Sequence, residues 1–499
     1  MTRIEPRTAF VVSHTHWDRE WYLTCAEFRV DLVRVVGQVL DTLESDPERH
    51  FLLDGQVAVL EDHLNVCPED APRVQALAES GRLSLGPWFV LPDEFLVSGE
   101  SLARNLLMGD QVAQALGGRL QVGYMPDSFG HVAQMPQLLR GAGLESFVFE
   151  RGLGDEAESL GWRFTWRGPD GSEVLALNHV QGYCAAGSLG HAELWHAHTR
   201  REIDPALAVQ KIRELFTAGA ERPGADPFLI SNGCDHFPPQ RGFPRVMDAL
   251  RKAYSDTEFI HAGLQDFVAA AGESGASNRV REGEMLGGYD RNILSGVWSA
   301  RMYLKQENER CETLLAGTAE PMLTYATFVH GQVYPTGLLR DAWRELLLNH
   351  PHDSICGCSI DQVHRDMMPR FALARLTAER SLQRALADLA PTFGVSPDGD
   401  RDTILCMANP LPQVRREVIT RTIVLQPFDY DALRLVDEAG DEVPYEVAET
   451  RRVERFWGVD HRLSLTGAAQ DTDFAPYRGH FPYRLSRVEA ASDPPLPLL

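Results

Sequence analysis

Lysine is nearly absent. Lys211, Lys252 and Lys305 are the three in a chain of 499 residues, and arginine carries the rest of the positive charge. Basic charge as a whole is in deficit: 48 Lys and Arg stand against 71 Asp and Glu, a formal net charge of -23 with a pI near 5.2. Nucleic acid as a partner requires a basic footprint, so that class is excluded. Docking to an anionic membrane surface is excluded on the same ground; a neutral ligand such as a sugar is not. No apolar run is long enough to cross a bilayer, and the polar residues 1–7 offer no signal-peptide core, so the expectation is a cytoplasmic protein. The eight cysteines are scattered without framework spacing, which predicts reduced thiols. Cys356-Gly357-Cys358 is the one close pair; with no second such pair it reads as small buried thiols, not as a metal knuckle. Internal repeats and low-complexity tracts are also missing.

What is present is a chain too long for one ordinary domain, with an apolar fraction of 44% that suits a soluble globular protein. From residue 8 to about 270, short apolar runs alternate with helical periodicity. Candidate strands are 8–13, 51–53, 83–85, 122–125, 146–149, 174–177 and 228–231. Candidate helices are 28–43, 72–79, 102–115 and 136–142, with Gly81, Gly117 and Gly143 at helix ends. Such alternation predicts an α/β domain over 1–275, a parallel sheet covered by helices in about seven β/α units that form a barrel, open or closed. From about Gly287 the pattern is helical (299–315, 339–348, 371–389), which predicts a helical bundle over 285–390. A Pro/Gly/Asp-rich linker at 391–402 follows. Apolar runs at 403–407, 418–425 and 433–436 then predict the start of a β-domain over 403–499 that looks unfinished at Leu499.

Function in β/α sheets collects at the C-terminal ends of the strands. Several candidate strands here end in His or Asp. The first runs into Ser13-His14-Thr15-His16-Trp17-Asp18-Arg19-Glu20-Trp21. Alternate residues of a strand share a face, so His14, His16 and Asp18 suit a zinc-like ion, and Trp21 offers an indole face to a sugar ring. Two more strands end at Met125-Pro126-Asp127-Ser128-Phe129-Gly130-His131 and at Asn232-Gly233-Cys234-Asp235-His236; Leu53-Asp54-Gly55-Gln56 is a weaker fourth. His350-Pro351-His352-Asp353, in the helical segment, would have to reach back to the same rim. A metal held by His and Asp, a carboxylate on it (Asp127) and a second carboxylate (Asp235) in a partly apolar loop satisfy what glycoside hydrolysis requires. Trp21, Trp88, Phe129 and Tyr289 are candidate aromatic walls. Each element also has a plainer reading: Asp127 as a helix N-cap, Asp235 as turn chemistry, His352-Asp353 as a capping pair.

The stretches at 14–21, 123–131, 232–236 and 350–357 together resemble the glycoside hydrolase family 38 α-mannosidases. Leu53-Asp54-Gly55-Gln56, Gly86-Pro87-Trp88 through Phe95, and Gly296-Val297-Trp298-Ser299-Ala300-Arg301 add to the likeness, which runs from about residue 8 to the end. The resemblance implies a seven-unit β/α barrel, a three-helix bundle and β-sandwich domains, here cut short as in a truncated gene product. It implies one Zn2+ held by His16, Asp18, Asp127 and His352, with His14 behind them. Asp127 would be the nucleophile and Asp235 the general acid/base of a retaining reaction, with their carboxyl groups roughly 5–5.5 Å apart. Trp21, Phe129, Arg151, Asp353 and Trp88 would bind substrate, an α-mannoside. The lines left open are a mannosylglycerate-type hydrolase of the same family, a metal-dependent deacetylase, an inactive carbohydrate-binding remnant, and assembly into a homo-oligomer.

Overall fold

The computed structural model describes residues 5–389 except 180, 188, 195–201, 221, 223–225, 275–278 and 290, and beyond them 405, 407–416, 418–425, 434–437, 439–454 and 482–491. The chain divides into two compact units. The first comprises residues 1–316 and 336–378, the second 317–335 and 379–499.

The first unit is an α/β fold. Its organising strand is β1 (Thr8–Thr15), a buried β-branched and aromatic run. It pairs in parallel with β8 (Phe228–Asn232) along one edge. Its other edge is shared by β9 (Glu258–His261) at the start and β2 (Phe51–Leu53) at the end, and β3 (Leu83–Ser84) continues from β2. The second sheet has the order β10-β6-β7-β5-β4, from β4 (Gly123–Met125), β5 (Ser146–Phe149), β6 (Arg163–Arg167), β7 (Glu173–Asn178) and β10 (Val280–Glu282). The alternation along β1 separates two cores. Ala9 and Val11 pack with the helices Pro205–Gly219 and Phe243–Ala253, whereas Phe10 and Val12 pack with Leu52 of β2, Tyr124 of β4, Val148 of β5 and Leu177 of β7. The second core thus draws inward-facing residues from both sheets.

All seven expected strands are present within one or two residues. The expectation of an all-parallel arrangement is corrected: β6 runs antiparallel to β7. The signal was available, because Arg163-Phe164-Thr165-Trp166-Arg167 alternates and buries its two aromatic rings. The four expected helices are also found, the first as Cys25–Ser45, opened by a capping box in which Thr24 and Glu27 exchange hydrogen bonds. Gly233 has a packing reason: a Cβ there would lie 2.0 Å from the His14 carbonyl oxygen, so the end of β8 can approach β1 only without a side chain.

From 287 to 389, no strand occurs among the described residues; the helices Met302–Leu314, Glu320–His330, Thr336–Leu347, His352–Cys356 and Asp361–Leu389 follow one another. The second unit holds a three-stranded antiparallel sheet, β11 (Val418–Leu425) and β12 (Tyr445–Glu454) on either side of β13 (Pro482–Ala491). The expected strand at 403–407 falls mostly outside the described residues. That at 433–436 is corrected to a single bridge, Val436 with Glu442. None of the described helices is long and apolar enough to cross a membrane.

The expectation of eight reduced thiols is also corrected. Cys184 and Cys234 form a disulfide, their Cα atoms 4.4 Å apart. They lie 50 residues apart in sequence, and only the fold that places the 181–187 loop against the end of β8 reveals the pairing.

Candidate active site

Strand register assembles the site. Thr15 is opposite Leu53, so the next residues, His16 and Asp54, emerge side by side. Ser13 is opposite Asn232, and the same register carries on to a bridge between His16 and Asp235. Met125 is opposite Phe149, so Asp127 and Arg151, each two residues further, leave the second sheet together. The His352 segment is tied in by backbone: Pro351 bridges Pro92, and the His352 N–H donates to the Leu91 carbonyl at 2.9 Å.

These connections bring His16, Asp18 and His352 together, their ligand atoms within 4.8 Å of one another, and set Asp127 against His352. His16 Nε2 lies 3.1 Å from Asp18 Oδ1, and His352 Nε2 lies 3.6 Å from both Asp18 Oδ1 and Asp127 Oδ2. The two imidazoles stack, their centroids 5.5 Å apart. All four residues are buried or nearly so, and neither His16 Nε2 nor His352 Nε2 has a hydrogen-bond partner. Ligand atoms about 2.1 Å from a tetrahedral metal centre stand about 3.4 Å from one another. The separations of 3.1 and 3.6 Å are close to that spacing, and two unpartnered buried nitrogens facing carboxylates are the chemistry of a cation site.

The electrostatics agree. Burial opposes protonation of His16, but Asp54 and Asp18 outweigh it and hold this imidazole well above its ordinary range. His352 is likewise pushed up to about 9 against the effect of burial, by Asp353, Asp127 and Asp18. Burial opposes ionisation of Asp18 and Asp127, yet both are held below the usual carboxylate range, Asp18 chiefly by His16, Asp127 by His352 and Arg151. The cavity draws positive charge, whether a proton or a metal ion.

Asp235 behaves differently. Burial, with Asp18 and Asp127 adding to it, pushes its carboxyl up to about 6, and it accepts a hydrogen bond from the Tyr183 hydroxyl at 2.9 Å. One carboxylate held ionised (Asp127) and a neighbour that keeps its proton to a higher pH (Asp235) is the division of labour that acid catalysis needs. Arg151 clamps the first, with Nε 2.8 Å and Nη2 2.5 Å from Asp127 Oδ1. Asp353, raised to about 7 mainly by burial, accepts the Cys358 thiol at 3.1 Å.

The aromatic expectations divide. Trp21 is part exposed, and Phe129 packs its edge on His352, the rings 5.3 Å apart. Trp88 is corrected: it is 0% exposed and belongs to the core with Leu91, Leu106 and Met125, so it has no face to offer a substrate. Tyr289 is exposed and directs its hydroxyl to Glu158. The reading of Asp127 as a helix cap also fails, because the next helix starts at Met135, with Gln134 in the N-cap position.

Three residues of the site had little or no sequence signal. Tyr183 contacts Asp235 through its hydroxyl, His14 Nε2 through its carbonyl, and the His16 ring through its own. Glu150 accepts the Tyr183 N–H and an Arg291 Nε–H, which sets the height of that loop. Glu20 accepts from Ser354 and Arg370, tying the first loop to the His352 segment.

The comparisons with known proteins agree in direction. Residues 6–310 match the model of the glycosyl hydrolases family 38 N-terminal domain, and residues 292–389 that of the alpha mannosidase middle domain. The chain is 32% identical over 447 residues to the "Putative mannosylglycerate hydrolase" of Halalkalibacterium halodurans (86% of this chain, 48% of that protein), and 27% identical over 417 residues to human alpha-mannosidase 2C1 (83% and 37%). It superposes on the crystal structure of an alpha-mannosidase from Enterococcus faecalis V583 with a TM-score of 0.82 at 29% identity, covering 99% of this chain and 55% of that one. The chain therefore spans about half the length of these relatives or less. With the family model matched over more than half of its length, the chain belongs to glycosyl hydrolase family 38.

Proposed function

We infer that the chain carries the active site of a zinc-dependent, retaining exo-α-mannosidase. The observation that carries this is the cluster of His16, Asp18 and His352, with Asp127 set against His352 and with Asp235, its carboxyl raised to about 6, bridged to His16. In this reading 1–275 is the catalytic β/α barrel domain, 285–390 the helical bundle that contributes His352 and Asp353, 391–402 a linker, and 403–499 part of a β-sandwich domain.

Zinc, held by those four residues, would bind the sugar's 2- and 3-hydroxyls and offset negative charge around the reacting centre. The protein groups do the rest. Asp127 attacks the anomeric carbon while Arg151 fixes its Oδ1. The bond from that carbon to the glycosidic oxygen breaks, and the oxygen takes the proton of Asp235. The sugar is then an ester of Asp127. In the second half a water attacks the same carbon, the ionised Asp235 takes a proton from it, and the Asp127 carboxylate leaves. Asp353 accepts hydrogen bonds from the sugar, and Trp21 and Phe129 close the apolar side.

Asp127 among the donors favours this reading over a metal-dependent deacetylase, in which a water would need that position. A mannosylglycerate-type substrate is the second reading, favoured by the likeness to the Halalkalibacterium protein named as a mannosylglycerate hydrolase. Asp127→Asn should abolish turnover of an aryl α-mannoside, and a 2-fluoro-mannosyl adduct should be recovered on Asp127. Full activity in the variant sinks the assignment, as does a labelled protein with the adduct elsewhere. Comparing kcat/KM for mannosylglycerate and for α-mannobiose separates the two substrates. A pure chain that takes up no zinc and stays inactive when it is added makes this a binding remnant.

A further inference from the structure

Asp54 is buried completely, and nothing in the proposed reaction uses it. It follows β2 in a left-handed backbone conformation, φ 59°, which an aspartate adopts only at a cost of about 1 kcal/mol or more. The carboxylate is fully engaged. Oδ1 accepts the Gly55 N–H at 2.8 Å; Oδ2 accepts the Trp17 N–H at 3.0 Å and the Gln56 side-chain amide at 2.8 Å. Both oxygens also face His16 Nδ1, at 3.3 and 3.2 Å.

This contact fixes which face of His16 does what. A carboxylate only accepts, so His16 keeps a proton on Nδ1, and Nε2 is the nitrogen that gives up its proton and presents a lone pair when a metal ion takes the proton's place. That nitrogen is the buried, unpartnered atom 3.1 Å from Asp18. His352 is held otherwise: its Nδ1 lies 3.3 Å from the neutral Leu91 carbonyl. The two imidazoles of the cluster are therefore unequal, and the one on the Asp54 side is the stronger base. The strained φ is consistent with a residue kept for its carboxylate where glycine would relax the turn.

We propose that Asp54 is a positioning residue for the metal site: it sets the tautomer, ring orientation and donor strength of His16. This rests on the zinc reading above. Outer carboxylate partners of metal-bound histidines typically govern affinity by 10- to 100-fold. Gln56 supplies the control, because its side-chain amide braces the same turn, donating to the Trp17 carbonyl at 2.8 Å as well as to Asp54, without touching His16.

The test uses the full chain, stripped with a chelator and titrated with zinc against a chromophoric competitor. Melting of the zinc-free form is followed in parallel, and the absorption spectrum of the cobalt-substituted protein is recorded. Wild type should bind one zinc. Asp54→Asn should melt as a folded protein, bind zinc 10- to 100-fold more weakly and show shifted cobalt bands. Gln56→Leu should melt lower but bind zinc within threefold of wild type. An Asp54→Asn affinity within threefold of wild type overturns the proposal, and so does a Gln56→Leu loss as large as that of Asp54→Asn, since bracing of the turn would then explain both. If Asp54→Asn does not fold, Asp54→Ser is measured with the same expectations. If wild type itself binds no zinc, the zinc reading fails and Asp54 loses its role with it; a wild type that binds while Asp54→Asn binds equally well defeats this proposal alone.

Discussion

Replacing Asp235 by Asn removes an acidic proton and almost nothing else. The amide keeps the shape, and its oxygen can still accept the Tyr183 hydroxyl that lies 2.9 Å from Asp235 Oδ1. The buried carboxyl, raised to about 6, is poised to give its proton near neutrality, so its loss should cost what a placed general acid contributes. That contribution is about 10²- to 10⁴-fold, or about 3–5 kcal/mol of barrier. The cost should depend on the leaving group. With α-mannobiose, whose departing alkoxide needs a proton, kcat/KM should fall by about that factor. With a 2,4-dinitrophenyl α-mannoside, whose phenolate leaves without help, the first half-reaction should be nearly unaffected. A burst of phenolate should appear, followed by slow turnover, because the second half-reaction then lacks its base. Azide, which attacks without needing a base, should restore turnover and yield a mannosyl azide of retained configuration. Stopped-flow absorbance reads the burst and chromatography the product. Equal losses on both substrates, or a loss under tenfold on the disaccharide, refutes the role assigned to Asp235.

Packing, cross-linking and burial give three further outcomes. Trp88→Ala should destabilise the protein by about 3–5 kcal/mol in urea unfolding, because the ring is wholly buried, and a loss of substrate affinity without loss of stability would return Trp88 to the sugar site. Reducing the Cys184–Cys234 bridge, or changing both residues to Ser, should cost about 4 kcal/mol of stability for a closed loop of 50 residues, read as a lowered melting temperature; no change means that the thiols are unpaired in solution. His350 is completely buried, and burial lowers its pKa from 6.5 to about 3. The unfolded chain therefore binds a proton that the folded chain refuses: this contribution is whole above about 6.5 and is lost as pH falls toward 3, at about 1.4 kcal/mol per pH unit. Between pH 7 and 5 the group should cost about 2 kcal/mol, and a His350→Gln variant whose urea midpoint falls as steeply over that range as wild type contradicts it.

Much of the first unit can be read directly from the chain. An apolar β-branched run such as residues 8–13 has few ways to be satisfied other than as a buried strand. Parallel strands deliver the residues at their C-terminal ends to one rim, so His16, Asp127 and Asp235 stand out as candidates from their places in the sequence. The aromatic residues are less legible, because a tryptophan next to a motif looks the same in sequence whether it faces a pocket or a core. Trp21 keeps an open face, whereas Trp88 has none. The cysteines were illegible for a related reason: spacing says nothing about two residues 50 apart that a loop folds together.

The order of residues alone sets the chemistry available: which imidazoles and carboxylates end the strands, and that an acidic, lysine-poor chain offers no basic footprint for a phosphate backbone. How that chemistry is divided depends on the folded arrangement. Asp127 and Asp235 are the same residue type after similar strands, but the first stands against Arg151 and His352 and is held ionised, while the second lies in a buried place with like charges nearby and has its carboxyl raised to about 6. His14 and His16 sit two residues apart on one strand. Only the fold, in which the end of β2 sets Asp54 beside the second and the 181–187 loop sets the Tyr183 carbonyl beside the first, turns His16 toward Asp18 and His352 and leaves His14 apart from them. Proton affinity and donor direction depend on what surrounds a group, and those surroundings come from segments far away in the chain.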